Sequence, residues 1–336
     1  MALIAIRRSV PEKGLRPLIP GRDLLGVADL IEEAFASELD RSGRQALREM
    51  RWMGRWGKLL LLLDYMSPDE SSFLNGFVWE EDERIIGNVT VSRHSGDGRR
   101  WFISNVAVSK AFRGRGIARA LMDAALEFVR EMRGRVVSLQ VREGNEPAIH
   151  LYKTMAFKTT GAVTQYFMAK PRPVEQLPLP PDVRLRPHRF DAIDARDAFS
   201  LARMVIPDGL QQESPLKFRT FRLESDIHFS NVVRRLFGMG TRQYWVAETL
   251  SGKMIATLNI EPGMGKKEHS LGFLVHPNWQ GKLEAVLVSK ALAHLAQWPS
   301  RPILFQYPEG LQHSASALEN AGFSKRRTLL WMRREM

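Results

Sequence analysis

The run FRGRGIARAL, residues 112–121, sets Arg113, Arg115 and Arg119 around two glycines, Gly114 and Gly116, between a strand-like and a helix-like segment. The first N–H groups of a helix have no internal partner and point along its axis with the positive end of the dipole. Glycine lets such a backbone come close to a ligand. Gly114 and Gly116 therefore stand where amides can meet phosphate oxygens, with Arg113 and Arg115 nearby for charge. A Walker-type loop needs four residues between its glycines and then Lys with Ser or Thr, and this run has neither. A dinucleotide fingerprint closes on a third glycine, where Arg119 stands. Two readings stay open at this point: a pyrophosphate held on successive amides, or an ordinary solvated turn.

A second group lies further on. In NEPAIHLY, Asn145 and Pro147 announce the start of a helix, and Tyr152 follows Asn145 by about two turns on the same face. A tyrosine hydroxyl can donate a proton to a departing anion. The plainer reading is a core or rim tyrosine. The chain has no cysteine, which excludes a disulfide framework, a thiolate metal site and a cysteine nucleophile together. Its eight histidines include no pair at H-x-x-x-H spacing, so no metal is expected.

The elements that must position these groups are legible. A strand near 14–18 leads to the amphipathic helix LLGVADLIEEAF (24–35), and a further helical stretch carries Trp52 and Trp56 at a spacing that suits core packing. Strands follow at 73–80, 84–93 and 101–109, then a helix from about 116 to 132 with Ile117, Leu121, Ala124, Phe128 and Met132 on one face. Strand VVSLQV (136–141), a helix from 146 to 155 and strand AVTQYFMAK (162–170) complete an α+β unit with a mixed sheet.

The same order then returns. PRPVEQLPLPPDV (171–183) holds five prolines and reads as an extended linker. Beyond it Leu15-Arg16-Pro17 is echoed by Leu185-Arg186-Pro187, RIIGNVTVS (84–92) by KMIATLNI (253–260), NVAVSKAFRGRG (105–116) by GFLVHPNWQGKL (272–283), and LYKTMAF (151–157) by LENAGF (318–323). Four matches in the same order at nearly constant offset indicate two copies of one fold, residues 1–170 and 184–336.

Composition bounds the rest. A length of 336 residues suits two domains, and 44% hydrophobic with 26% charged residues suits a globular chain. The N-terminus lacks a signal-peptide pattern, and LLLLL (59–63) is far short of the ~20 apolar residues of a membrane span, so the chain reads as cytoplasmic with no membrane contact. The net charge of +12 is spread over both halves and favours anionic ligands, phosphorylated cofactors and RNA among them. No RNP-type aromatic motif supports RNA binding, and nucleic acid is not the expected partner.

Together the two groups resemble the GNAT superfamily of acyl-CoA-dependent N-acyltransferases, in a tandem form. NVAVSKAFRGRGIARALM (105–122) fits that family's cofactor motif as Arg113-x-x-Gly116-x-Ala118, and GNEPAIHLYKTMAFK (144–158) fits its second motif. The resemblance implies two domains, each a mixed, mostly antiparallel sheet flanked by helices. It implies that backbone amides of Arg113, Gly114, Arg115, Gly116, Ile117 and Ala118 hold the pyrophosphate of acetyl-CoA. The segment Val106, Ala107, Val108 would pair with the pantetheine arm, and Asn145 would bond the same arm. Tyr152 would protonate the leaving thiolate, and the acyl group would pass directly to a primary amine. One departure stands out: many members carry a Glu in the strand before Asn145, and here Gln140 takes its place, so no base is assigned. In the second copy Leu283 replaces Gly116, Gln280 replaces Arg113, and Leu318 or Glu319 replaces Tyr152. That copy is expected to fold without binding acetyl-CoA, with Leu283 obstructing the phosphate. The rival readings are an acyl-CoA sensor without turnover and an RNA- or ribosome-associated basic protein.

Overall fold

A computed structural model describes residues 14–36, 39, 41–55, 75–94, 99–171, 174–222, 241–263 and 267–336. The chain divides into two compact units, one of Met1–Gln140, Pro147–Lys158 and Met332–Met336, the other of Val141–Glu146 and Thr159–Trp331.

The first unit begins with β1 (Gly14–Pro17), α1 (Pro20–Ala34) and α2 (Arg41–Arg55). It continues through β2 (Asn75–Glu81), β3 (Arg84–Arg93), β4 (Arg100–Val108), α3 (Ile117–Glu131), β5 (Val136–Arg142) and α4 (Glu146–Thr154). Strands β1 to β5 lie in sequence order; all neighbours are antiparallel except the parallel pair β4 and β5. Helix α1 starts at Pro20, ahead of the apolar stripe, because proline's fixed φ suits a first helical residue. Helix α3 buries Ile117, Leu121, Met122, Ala125, Leu126 and Val129. The expected face through Ala124, Phe128 and Met132 is thus turned partly aside. Ala124 and Phe128 are half-buried and Met132 is exposed, because Met132 lies past the last helical residue. Trp52 on α2 is exposed (61%), against the core role that its spacing with Trp56 suggested; Trp56 and the run 59–63 lie outside the described residues.

The second unit takes β6 (Lys158–Met168) from Thr159 onward, β7 (Val183–Pro187), α5 (Ala192–Val205), α6 (Asp208–Glu213), β8 (Gln243–Thr249), β9 (Met254–Glu261) and β10 (His269–Val275). It ends with α7 (Glu284–Leu295), β11 (Ile303–Pro308), α8 (Gln312–Asn320) and β12 (Ser324–Glu335) to Trp331. Its sheet runs β12-β6-β11-β10-β9-β8-β7. Strand β6, which closes the first repeat in the sequence, pairs here with β11 from Val163↔Pro308 to Met168↔Ile303. Thr164 and Thr328 share a buried hydroxyl contact of 2.9 Å. From Thr159 onward β6 thus lies in the second compact unit, although it closes the first copy of the sequence repeat. The proline-rich stretch forms no helix or strand where it is described. It lies along the second unit, with Val174 and Leu179 against that core and the Leu177 amide donating to Ser289 Oγ at 3.2 Å.

One buried network occurs in each copy and fixes the alignment. Arg16 on β1 donates to both carboxylate oxygens of Asp23 (2.6 and 2.8 Å) and through Nε to Glu80 (2.6 Å). Arg186 on β7 does the same to Asp194 (2.7 Å twice) and Glu248 (2.7 Å). The aspartate in turn accepts the amide of Ile19 in one copy and Arg189 in the other, at 2.7 and 2.8 Å. Each arginine thus staples its first strand, first helix and next strand together. Burial alone would push the Asp194 carboxyl up, but Arg186 and the Arg189 amide bring it below the usual range. Arg16→Met and Arg186→Met each take the two-pronged partner from a buried aspartate, while Glu80 keeps Arg22 (2.6 Å) and Glu248 keeps Arg184 (3.1 Å), so each should cost about 3–5 kcal/mol in denaturant unfolding of the full chain. Because Asp194's folded pKa is depressed, its stabilisation is present above the unfolded carboxylate range and fades as pH falls through the folded value.

Candidate active site

The site is built where β4 leaves its partner. Pairing of β4 with β5 runs from Arg100↔Val136 to Ile103↔Leu139 and stops, although β4 itself continues to Val108. On its other side β4 carries a bulge: Thr90 pairs with Ser104 and Asn88 with Ala107, so Asn105 and Val106 stand opposite Val89 alone. Asn105 takes a left-handed φ of 51°, which asparagine tolerates better than most residues. Beyond the bulge Ala107 and Val108 are buried and Val106 is half-buried.

Glu33 at the end of α1 then fixes the exit from β4. Its Oε1 accepts from the Lys110 amide (3.1 Å) and the Ser109 hydroxyl (3.0 Å), and these bonds, in that order, lower its pKa. A single helical turn at Lys110–Phe112 follows, and then Gly114 and Gly116 at φ of 79° and 78°. No protein atom lies within 4 Å of a Cβ built on either glycine, so their conformation, not crowding by the chain, demands glycine. Gly116 caps α3, and no side chain caps that helix. Among the described residues no protein group accepts from the backbone amides of Gly114, Arg115, Gly116, Ile117, Ala118 or Arg119.

The arginines are partly committed. Arg113 Nε donates to the Val108 carbonyl at 3.1 Å, which ties the loop back to β4 and occupies an acceptor of the strand edge. The Arg115 guanidinium stands over the Phe112 ring at 4.8 Å. Arg119 donates to Thr154 Oγ1 at 3.2 Å, which joins the first turn of α3 to the last turn of α4. Two residues before Thr154, Tyr152 is buried, and burial pushes its phenol up to about 12. Asn145 directly precedes α4, as an N-cap should, but belongs to the second compact unit. Gln140 is exposed, and Glu143 faces Lys325 at 3.8 Å.

The second copy repeats this frame and closes it. The Ser109 amide bonds Ile86, and the His276 amide bonds Ile255, so the strand ends correspond. The ladder of β9 with β10 is continuous from Glu261↔Ser270 to Ala256↔Val275 and has no bulge. Beyond the last β10–β11 pair, Leu271↔Phe305, the Phe273 and Tyr307 rings touch at 5.4 Å between centroids. The expected obstruction by Leu283 is not found: its side chain is wholly buried in the core of that unit, because the residue before α7 points inward. The loop amides are met by Glu284 instead, whose Oε2 accepts from the amides of Gly281 (2.8 Å) and Leu283 (3.3 Å). Tyr152 has its counterpart in buried Leu318, since Phe157 bonds the Tyr152 carbonyl and Phe323 the Leu318 carbonyl, each at 3.0 Å. The residues that sequence reasoning missed are Asn88, Asn105, Glu33 and Glu284. The trace of the bulge in the sequence is a second copy two residues shorter over this stretch, Ile255 to His276 against Ile86 to Ser109.

Such an architecture defines a class. The crystal structure of a GCN5-related N-acetyltransferase from Sphaerobacter thermophilus superposes on 97% of the chain and 97% of its own length, with a TM-score of 0.64 at 15% identity. A tandem GNAT protein from the clavulanic acid biosynthesis pathway covers 96% of this chain and 98% of its own, with a TM-score of 0.53 at 15% identity. The fold is therefore that of tandem GNAT proteins. Residues 33–157 match the Acetyltransferase (GNAT) family. Mycothiol acetyltransferase of Propionibacterium freudenreichii is 32% identical over 110 residues, which are 32% of this chain and 31% of that enzyme. The chain thus aligns with about a third of that relative's length. The resemblance read from the two motifs is met by the family match over residues 33–157 and by the fold.

Replacing Glu284 by Ala leaves two loop amides without an acceptor. Thermal or denaturant unfolding should show a loss of about 1–3 kcal/mol, whereas Leu283→Met, which keeps the core volume, should cost less than about 1.5 kcal/mol.

Proposed function

We propose that the first copy is an acetyl-CoA-dependent N-acetyltransferase that acylates a primary amine by direct transfer. The observation that carries this reading is the row of amides from Gly114 to Arg119 at the mouth of α3 that have no acceptor among the described residues. The backbone of Arg113, Gly114, Arg115, Gly116, Ile117 and Ala118 would hold the pyrophosphate, where helix dipole and free N–H groups favour an anion. Val106 and its neighbours, released from β5, would receive the pantetheine arm as an added strand. The bond already made by Arg113 to Val108 narrows the open strand edge toward Val106.

In the transfer, amine nitrogen bonds to the thioester carbonyl carbon, the carbon–sulfur bond breaks, and the sulfur leaves with the electron pair. The amine loses a proton to water, and the sulfur gains one. Tyr152 at about 12 keeps its proton throughout the working pH range. Such a phenol is a weaker acid than a solvated thiol near ~8.5. Its first contribution is therefore a hydrogen bond to charge building on sulfur, and proton transfer follows once burial has made that sulfur more basic. A second reading, acyl-CoA binding without turnover, is favoured by Gln140 and by the turn of Glu143 toward Lys325.

Calorimetry of coenzyme A with the full chain should register binding, and Gly116→Val should weaken it at least about tenfold. No heat with the wild type would sink both readings. Tyr152→Phe should leave coenzyme A affinity unchanged and lower kcat about 10²-fold or more with any accepted amine. With Tyr152 present, kcat should show no alkaline limb from this residue at pH well below about 12. Tight binding with no turnover across an amine panel would establish the sensor reading.

A further inference from the structure

We propose that Asn88 is a positioning residue that holds β4 in its bulged form and so keeps the strand edge at Val106 open to the pantetheine arm. The proposal rests on the acyl-CoA reading of the first copy.

Asn88 lies in the middle of β3 and is fully buried. Its neighbours Ile86, Val89 and Val91 are the apolar, β-branched residues that a buried strand prefers. An asparagine here adds nothing to that packing, and its Oδ1 has no partner among the described residues. Its Nδ2, however, donates to the Asn105 carbonyl at 2.9 Å and lies 3.4 Å from Thr90 Oγ1. Asn105 Nδ2 approaches the same hydroxyl at 3.3 Å. Two side chains, Asn88 and Thr90, thus hold Asn105, the one residue of β4 whose backbone is left-handed. A half-buried carbonyl turned out of its ladder is best met by a donor, and Asn88 is the one supplied.

The bulge matters because strand parity has a period of two. One extra residue exchanges the faces of every residue after it and bends the strand. In the first copy this happens just after β4 has parted from β5, at the segment that would receive an added strand.

The chain carries its own comparison. Aligning Ile86 with Ile255 places Thr257 at the position of Asn88. There the β9–β10 ladder is continuous, and no residue of β10 has positive φ. The copy with the asparagine has the bulge; the copy with threonine does not.

The test compares two probes that share the phosphates but differ in the arm. Coenzyme A and 3′-phosphoadenosine 5′-diphosphate, which lacks pantetheine, are titrated into the wild type, Asn88→Thr and Asn88→Ser by calorimetry. Asn88→Thr should weaken coenzyme A about tenfold or more, as expected for losing strand-type hydrogen bonds, while the diphosphate changes less than about twofold. Asn88→Ser, which carries the same hydroxyl as threonine but lacks the β-branch that favours a regular strand, should recover part of the loss. Equal weakening of both probes would make Asn88 a merely structural residue, and no change in either would also overturn the proposal. A wild type that binds neither probe would instead refute the acyl-CoA reading beneath it.

Discussion

The amides at the start of α3 are donors for which the described part of the chain provides no acceptor, and the rest of the first unit is arranged around that deficit. A helix end must satisfy its first N–H groups with a side chain, water or a ligand. Gly116 has no side chain to offer, and its left-handed φ aims the following amides together. The surroundings then hold the deficit in place. Glu33 pins the turn after β4, Arg113 ties the loop to Val108, and Arg119 fastens the first turn of α3 to α4. None of these three side chains fills the row of amides itself.

The second copy shows the same problem solved from within. Gly281 keeps the left-handed conformation of Gly114, with φ of 80° against 79°, so the loop retains its shape. One carboxylate, Glu284, takes over the amides. With that donor set satisfied, the other features of a binding cleft are absent as well: no bulge, ring contacts past the last β10–β11 pair, and leucine in place of tyrosine. The arginine-centred network stays nearly the same in both copies, because it supports the fold and not the cleft. The frame thus persists in a copy whose loop amides are bonded from within.

Much of this was readable from residue order. The element sequence, the duplication, the glycine turn and the helix opened by Asn145 all follow from local signals. Periodicity and turn chemistry act over a few residues and need no partner. Where reading failed, a partner was missing. Met132 belongs to the apolar series of α3 but falls past its end, and Trp52 shares a helical spacing with Trp56 yet faces solvent. Leu283 looked like an obstruction because spacing names a residue's neighbours without saying where its side chain turns.

The sequence by itself determined two copies of an α+β unit, each with a strand–turn–helix element, and only the first with glycine at the helix mouth and tyrosine downstream. Tertiary structure alone decided which backbone groups stay unsatisfied. The carbonyl at the bulge, that of Asn105, finds its donor in Asn88, 17 residues earlier. The assignment of β6 to the second unit depends on pairing with β11, more than a hundred residues later. Both are long-range hydrogen-bond choices. No local propensity encodes them, because the donor and the acceptor are each ordinary until the fold brings them together.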